Sequence, residues 1–493
     1  MSPPGPDNTQ QPERAAHHWR RVFGLLLGPS LFALMVGLGP PGDLSPEAWR
    51  VAALTLLMAT WWVSEALPLP VTALLPVVVL PLMGVSSVES AAAPYANPLI
   101  FLFLGGFLLA MAIQRWNLHR RIAITILSLA GRRPDLLIGG FMVATAGLSM
   151  WVSNTATAAM MLPIGLSVIA LLEDRGGRIE RDFVLGLLIG IAFAANIGGM
   201  GTLIGTPPNA LLAGFLADRQ GVVIGFAQWM LLGVPLALTL LLITWWLLTH
   251  KVYRVERQTM EGITELIATQ RKSLGRIGRG ERRVAIIFAL TALAWVSRPL
   301  LQQVWPWGVL SDAGIALTAG VALFLVPVDW RRQQFLLDWA STRELPWGVL
   351  VLVGGGLSLG VAIEESGLSS AIALLLTDLA GWPVWSLIAV IAALTMLLSH
   401  VTSNTATAAT LLPLMVSLAL MLELDPLLLA VPVALAASCA FMLPVATPPN
   451  AIIFGSERLR VTDMLYAGAW VTAAALPLLV LVSTLLVIPL LGD

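Results

Sequence analysis

From Val22 to the C-terminus the chain is a succession of apolar runs, each bounded by charge or by Gly and Pro. Most are long enough to cross the roughly 30 Å hydrocarbon core of a bilayer. Backbone at that depth has no water to bond with, so runs of this length must close their hydrogen bonds as α-helices. The expectation is an all-α polytopic membrane protein with about eleven transmembrane helices. Composition agrees: 57% of the 493 residues are hydrophobic and 11% charged, where a soluble domain carries about 25% charged residues. A signal peptide would give one short run ahead of a polar mature domain. The 28 basic and 28 acidic residues cancel, leaving no global field to draw nucleic acid or an acidic partner. The one cysteine, Cys439, excludes an intrachain disulfide and reads as a small core residue.

Residues 1–21, rich in Pro, Gln, His and Arg, lack apolar periodicity and are expected to form a disordered tail. Spans are expected near Val22–Leu38, Arg50–Leu67, Val71–Met83 with prolines inside, Leu99–Ile113 and Trp229–Leu248. The stretch 134–172 is apolar but is cut near its middle by Ser153-Asn154-Thr155, which suits a re-entrant helical hairpin. The stretch 183–216 is cut by Gly198-Gly199-Met200-Gly201 and by Thr206-Pro207-Pro208-Asn209, as in a helix broken at mid-membrane. Residues 22–250 then hold a first helix and an N-terminal repeat. A polar segment, 251–283, with nine Lys or Arg against four Glu, is the expected cytoplasmic linker. Residues 284–493 form the second repeat, with hairpin 384–422 and broken helix 427–457.

The evidence for a repeat is internal. A shift of 250 residues superposes Gly105-Gly106 on Gly355-Gly356, Ala112-Ile113 on Ala362-Ile363, Leu118 on Leu368 and Ser149 on Ser399. The same shift carries the run from Ser153 to Ala159 onto the identical run from Ser403 to Ala409, and Pro163 onto Pro413. Thr447-Pro448-Pro449-Asn450 echoes Thr206-Pro207-Pro208-Asn209 at a slightly shorter offset. Seven identities in register with flanking matches mark a duplication. Segment 114–133 has five Arg, whereas its counterpart 364–383 has none and carries Glu364, Glu365 and Asp378. Arg175, Arg178 and Arg181 follow the first hairpin, and Glu423 and Asp425 the second. Because short cytoplasmic loops accumulate Lys and Arg, the two copies are expected to face opposite sides. Inverted repeats with discontinuous helices place a substrate site at the midplane, as secondary transporters do.

Breaks at hydrocarbon depth leave N–H and C=O groups that cost several kcal/mol each unless something binds them. Helix N-termini offer donors and partial positive charge to an anion, while unwound carbonyls with Ser, Thr and Asn oxygens suit a hard cation such as sodium. None of the four motifs contains Lys or Arg, so an anion would be held by amides, hydroxyls and bound cations rather than by a guanidinium. Ser, Thr and Asn also serve as interhelical glue, but exact duplication at two breaks favours a site. His400 reads as a satisfied histidine. Glu65, Glu364 and Glu365 fall near span ends and read as solvated. The 18 Trp read as interface anchors and packing.

These motifs resemble the divalent anion/sodium symporter family, the sodium-coupled transporters of di- and tricarboxylates and sulfate. The stretch from Ala437 to Ala451, Ala-Ser-Cys-Ala-Phe-Met-Leu-Pro-Val-Ala-Thr-Pro-Pro-Asn-Ala, is the most specific part of the likeness. The resemblance implies eleven spans, two re-entrant hairpins, a scaffold that forms a homodimer, and a transport domain that moves as an elevator. It implies a cell-membrane protein, bacterial inner membrane, with a cytoplasmic N-terminus. By the same resemblance Ser149, Ser153, Asn154 and Gly205 match a first sodium site, and Ser399, Thr402, Asn404 and Ala446 a second. Asn154, Thr155, Thr206, Ser403, Asn404, Thr405, Thr447 and Pro448 match positions around the substrate, a small dianion such as succinate, malate or fumarate. The halves differ at Val152 opposite Thr402 and at Gly205 opposite Ala446.

Rival functions are a sodium-independent dicarboxylate exchanger, a sulfate or citrate symporter of the same family, a channel, and an intramembrane enzyme. Broken helices alone would permit a channel. For an enzyme the chain has no His-Glu-x-x-His and no Gly-x-Ser-x-Gly, and three of its five His (His17, His18 and His119) lie in charged segments. It is expected not to be one.

Overall fold

The computed structural model describes residues 11–42, 44–131, 133–174, 181–255, 262–304, 308–375 and 381–492. Arg132, Arg175, Arg178 and Asp378, on which part of the orientation reading rests, lie outside the described residues, as does the tail before Gln11. Among the described residues the chain is helical almost throughout, and a single two-stranded ribbon pairs Pro327–Asp329 with Gln334–Phe335. Among the described residues, ten helices are long and apolar enough to cross a membrane. Leu69–Leu82, Pro134–Ser149, Asp312–Leu325 and Leu427–Ala437 are apolar but shorter, and the ten include Asn154–Glu173, Val384–Val401 and Asn404–Met421, which belong to the expected hairpins rather than to the eleven expected spans.

The same order of elements runs twice. Pro98–Arg115, Leu118–Leu127, Pro134–Ser149, Asn154–Asp174, Arg181–Gly199, Pro207–Arg219 and Phe226–Trp246 are followed, after the linker, by a second such series. It comprises Trp347–Glu365, Leu368–Leu375, Val384–Val401, Asn404–Met421, Leu427–Ala437, Pro448–Phe454 and Val461–Leu485. The paired glycines that mark the duplication are points of close helix approach. A Cβ on Gly105 would lie 2.4 Å from the carbonyl carbon of Ala316, and one on Gly355 would lie 2.1 Å from Ala73 O. Each repeat thus packs a helix of its own tightly against a segment preceding the other, so the halves interlock.

The core sits around the broken helices. Every residue from Phe183 to Gly199 is buried, as is nearly all of Leu427–Ala437. Helices such as Arg279–Val304 and Val461–Leu485 are apolar yet mostly unburied within the protein.

Three expectations change. The first helix begins at Gln11 rather than after a disordered stretch ending at Arg21: Gln, Glu, Arg and Ala are strong helix formers, and their polarity hid the helix from a search for apolar periodicity. The expected span Val71–Met83 is two short helices, Leu69–Thr72 and Leu75–Leu82, because Pro76 lacks an N–H and opens a new helix at its first turn. The linker's expected boundary at 283 falls inside a helix, Arg279–Val304. The segment also contains an amphipathic helix, Ile263–Ser273. It is tied back to the first repeat: Arg121 pairs with Glu281 and donates to the carbonyls of Leu274 and Gly275, both at 3.2 Å, while Arg120 reaches Gln270 at 2.9 Å.

Candidate functional site

The first motif sits at the turn between Pro134–Ser149 and Asn154–Asp174. Ser153 caps the second helix, its Oγ accepting from Ala156 N at 3.3 Å. Behind this turn runs the first broken helix, Arg181–Gly199 and Pro207–Arg219. Its break is stapled by Asn209, whose Nδ2 donates to Thr202 O at 2.8 Å and reaches Gly199 O at 3.3 Å. Gly199 carries no side chain because a Cβ there would lie 2.7 Å from Asn154 Oδ1. The second half repeats the arrangement. Ser403-Asn404 opens Asn404–Met421, and Asn450 staples the second break, donating to Leu443 O at 3.0 Å and Ala440 O at 3.1 Å.

Two clusters of oxygens form where turn meets break. Ser149 Oγ lies 2.7 Å from the Asn154 amide and 2.7 Å from Ala195 O. The same amide atom is 3.2 Å from both Ala195 O and Gly205 O. If nitrogen stands there, it donates to the carbonyls. If oxygen stands there, four oxygens converge, and the single hydrogen of the Ser149 hydroxyl can serve only one of the others, which leaves a place a cation would fill. In the second half Ser399 Oγ lies 2.8 Å from Asn404 Oδ1 and 2.6 Å from Ala437 O. Hydroxyl, amide and carbonyl oxygens with no carboxylate fit a hard monovalent cation. Ser149 and Ser399 are fully buried behind the wall.

In front of both clusters is one cavity of about 960 Å³. All eight residues matched to the substrate line it: Asn154 and Thr155, Thr206, Ser403, Asn404 and Thr405, and Thr447 and Pro448. Of the residues matched to sodium, Ser153, Asn154, Gly205, Asn404 and Ala446 line it as well. Ser149, Ser399 and Thr402 stand behind. Phe103, Phe107, Met111 and Ile204 form an apolar wall.

The halves differ where the sequences do. Thr402 Oγ1 pairs with Thr407 Oγ1 at 2.6 Å. In the first half Val152 replaces that partner, and Thr157 Oγ1 is buried without one among the described residues. Two further features escaped sequence reasoning. Asn196 lines the cavity and spans between the two broken helices; one polar residue inside the run from Phe183 to Gly199 was the available signal. Arg20 and Arg21 also line the cavity, at its rim, with Glu65. Arg20 pairs with Glu65 at 3.4 Å, and Arg21 Nε donates to Glu65 O at 2.9 Å. Assigning them to a disordered tail concealed them. His400 is buried with Nδ1 2.5 Å from Met396 O, and its Nε2 has no partner among the described residues. Cys439 is fully buried, as expected.

A family model described as the sodium:sulfate symporter transmembrane region matches residues 17–492. The sodium-dependent dicarboxylate transporter SdcS of Staphylococcus saprophyticus is 40% identical over 487 residues, covering 97% of this chain and 94% of that protein. SdcS of Staphylococcus aureus is 42% identical over 469 residues, covering 94% and 90%. Among solved structures, the Alcanivorax borkumensis YdaH transporter aligns with a TM-score of 0.58 at 14% identity, covering 88% of this chain and 97% of that one. MtrF of Neisseria gonorrhoeae aligns at 0.56 and 14%, covering 91% and 97%. At that identity the two structures speak for the fold alone.

Proposed function

Because the chain belongs to the sodium:sulfate symporter family, we propose that it is a multi-pass membrane transporter that carries C4-dicarboxylates such as succinate, malate and fumarate together with sodium ions. Sodium-dependent dicarboxylate transport is the named activity of relatives aligned over nearly its whole length. The observation that supports the residue assignment is the pairing of two similar oxygen clusters behind a single cavity.

In this reading Ser149, Ser153, Asn154 and Gly205 hold one sodium, and Ser399, Asn404 and the backbone of Thr402 and Ala446 hold another. The hydroxyls and amides of Asn154, Thr155, Thr206, Ser403, Asn404, Thr405 and Thr447 hold the carboxylates. A dianion that gives up its water to neutral donors loses several kcal/mol of solvation. Cations nearby offset that loss, since opposite charges attract far more strongly in a low dielectric. Binding is therefore reciprocal: sodium raises the affinity for the dianion and the dianion raises that for sodium by the same factor. Neither species binds well alone, and that is what couples their movement.

The two repeats are inverted in the membrane, their motif-bearing helix pairs enter and leave on one side, and the N-terminus is cytoplasmic. The helix pairs and broken helices move as one body past a dimeric scaffold. Beside the first motif Trp151 packs on an aromatic cluster, tilted against Phe226 at 5.9 Å, parallel to Trp295 at 6.4 Å and edge-on to Phe288 at 4.8 Å.

The test is uptake of labelled succinate into proteoliposomes under an inward sodium gradient. Uptake is expected to saturate, to vanish when choline replaces sodium, and to be inhibited by malate and fumarate. Equal uptake in choline would end the symport reading, and competition by sulfate or citrate alone would move the substrate class.

A further inference from the structure

We infer that Asn196 is a positioning residue that makes the Thr447 hydroxyl a hydrogen donor to the carried anion; the inference deepens the transport reading of the same cavity and rests on it. Asn450 sets the order of bonds. Its Nδ2 donates to Leu443 O at 3.0 Å and Ala440 O at 3.1 Å, so both of its N–H groups are committed. Its Oδ1, an acceptor only, faces Asn196. Asn196 must answer with its nitrogen, which lies 3.2 Å from Asn450 Oδ1 and 3.0 Å from Thr447 Oγ1. The reverse orientation would bring two amide oxygens together. Asn196 keeps this orientation even though its own Oδ1 is left buried without a partner among the described residues.

Thr447 Oγ1 therefore accepts from Asn196, and it accepts again from the backbone N of Asn450 at 3.4 Å. A threonine hydroxyl has two lone pairs and one hydrogen. With both lone pairs engaged, the hydrogen is left for the cavity that Thr447 lines, where a carboxylate needs donors. The first half has no such device. Thr206 makes no cap bond to the helix it precedes. Ala195 and Ala437 are the matching acceptors of Ser149 and Ser399, which sets Ser438 opposite Asn196, and Ser438 Oγ reaches only Ala434 O, at 3.5 Å, in its own helix. The bias toward donation is built into one side of the cavity.

The experiment compares Asn196→Asp, Thr447→Val and the double variant, full-length in proteoliposomes. An ionised Asp only accepts, so Thr447 would donate to it instead of to the substrate. Asn196→Asp is expected to raise the KM for succinate by about tenfold, much as Thr447→Val does. In the Thr447→Val background the same change is expected to add less than about twofold. A tenfold rise that persists without the hydroxyl would overturn the inference, because repulsion by a new carboxylate, or poorer packing, does not need Thr447. If Asn196→Asp does not yield folded protein, Asn196→Ala takes its place in the cycle. A rise of about threefold that disappears in Thr447→Val supports the role, and additive changes refute it. Wild-type uptake is measured alongside: no sodium dependence there counts against the transport reading itself, whereas sodium dependence with an additive cycle counts against Asn196 alone.

Discussion

Replacing Asn154 or Asn404 by Ala is expected to abolish sodium-driven uptake while the protein still folds. Each amide has two jobs. One terminal atom stands in an oxygen cluster, 2.7 Å from Ser149 Oγ in the first half and 2.8 Å from Ser399 Oγ in the second, and each residue also lines the cavity where the anion would sit. Truncation therefore takes a ligand from the cation and a polar contact from the dianion together. A hydrogen bond to a charged group contributes about 1.5–3 kcal/mol, so the two losses compound to a fall of about a hundredfold or more in kcat/KM. The helices themselves do not depend on these side chains, since both residues stand at first turns, where the helix's own backbone bonds do not pass through them. Initial rates of succinate uptake, with elution profile and unfolding temperature as controls for folding, check it. Near-normal uptake by either variant would remove that Asn from the mechanism.

What could be read in the sequence divides along a physical line. The Ser-Asn-Thr motifs were legible because they are duplicated and because polar residues at hydrocarbon depth are costly without a purpose. Asn209 and Asn450 were legible within their Thr-Pro-Pro-Asn motifs as parts of a break, though not as the staples that hold its carbonyls. Asn196 was not, because it has no duplicate: Ser438 stands opposite, and one Asn in an apolar helix looks like interhelical glue. Its role depends on the hydrogen-bond order that Asn450 imposes across 254 residues of chain. Arg20 and Arg21 were hidden for another reason. Helix formation by a polar segment leaves no apolar period, so the first eleven described residues were read as tail and the basic rim of the cavity went with them. The prolines near Val71 were visible, but whether they kink one span or begin a second helix depends on which N–H groups the neighbouring segments leave unpaired, and that is decided in three dimensions.

Gly198→Ala should eliminate sodium binding at the first cluster, although it adds one methyl group and alters no proposed ligand. A Cβ on Gly198 would lie 2.3 Å from Ala146 O, 2.6 Å from its Cα and 2.8 Å from its carbonyl carbon. All three are backbone atoms, so no side chain can rotate out of the way. Reaching ordinary contact at 3.4 Å from 2.3 Å requires the two helices to part by about 1 Å. That displacement falls on the site. Ala146 is one turn before Ser149, Ala195 is one turn before Gly198, and the bond from Ser149 Oγ to Ala195 O is 2.7 Å. Lengthened by about 1 Å it is no longer a bond, and the cluster opens. Gly105→Ala is the control. Its Cβ would lie 2.4 Å from the carbonyl carbon of Ala316, a comparable overlap at the contact between Pro98–Arg115 and Asp312–Leu325, two helices that contribute no atom to either cluster. Overpacking of this kind costs about 1–3 kcal/mol, so both variants should unfold at lower temperature than the wild type. Only Gly198→Ala should also lose the first cluster's share of the rise in unfolding temperature that sodium produces by binding the native state, the second cluster's share remaining. A sodium-induced rise of wild-type size in Gly198→Ala would show that the Ser149–Ala195 contact tolerates the shift, and that the first cation is held elsewhere.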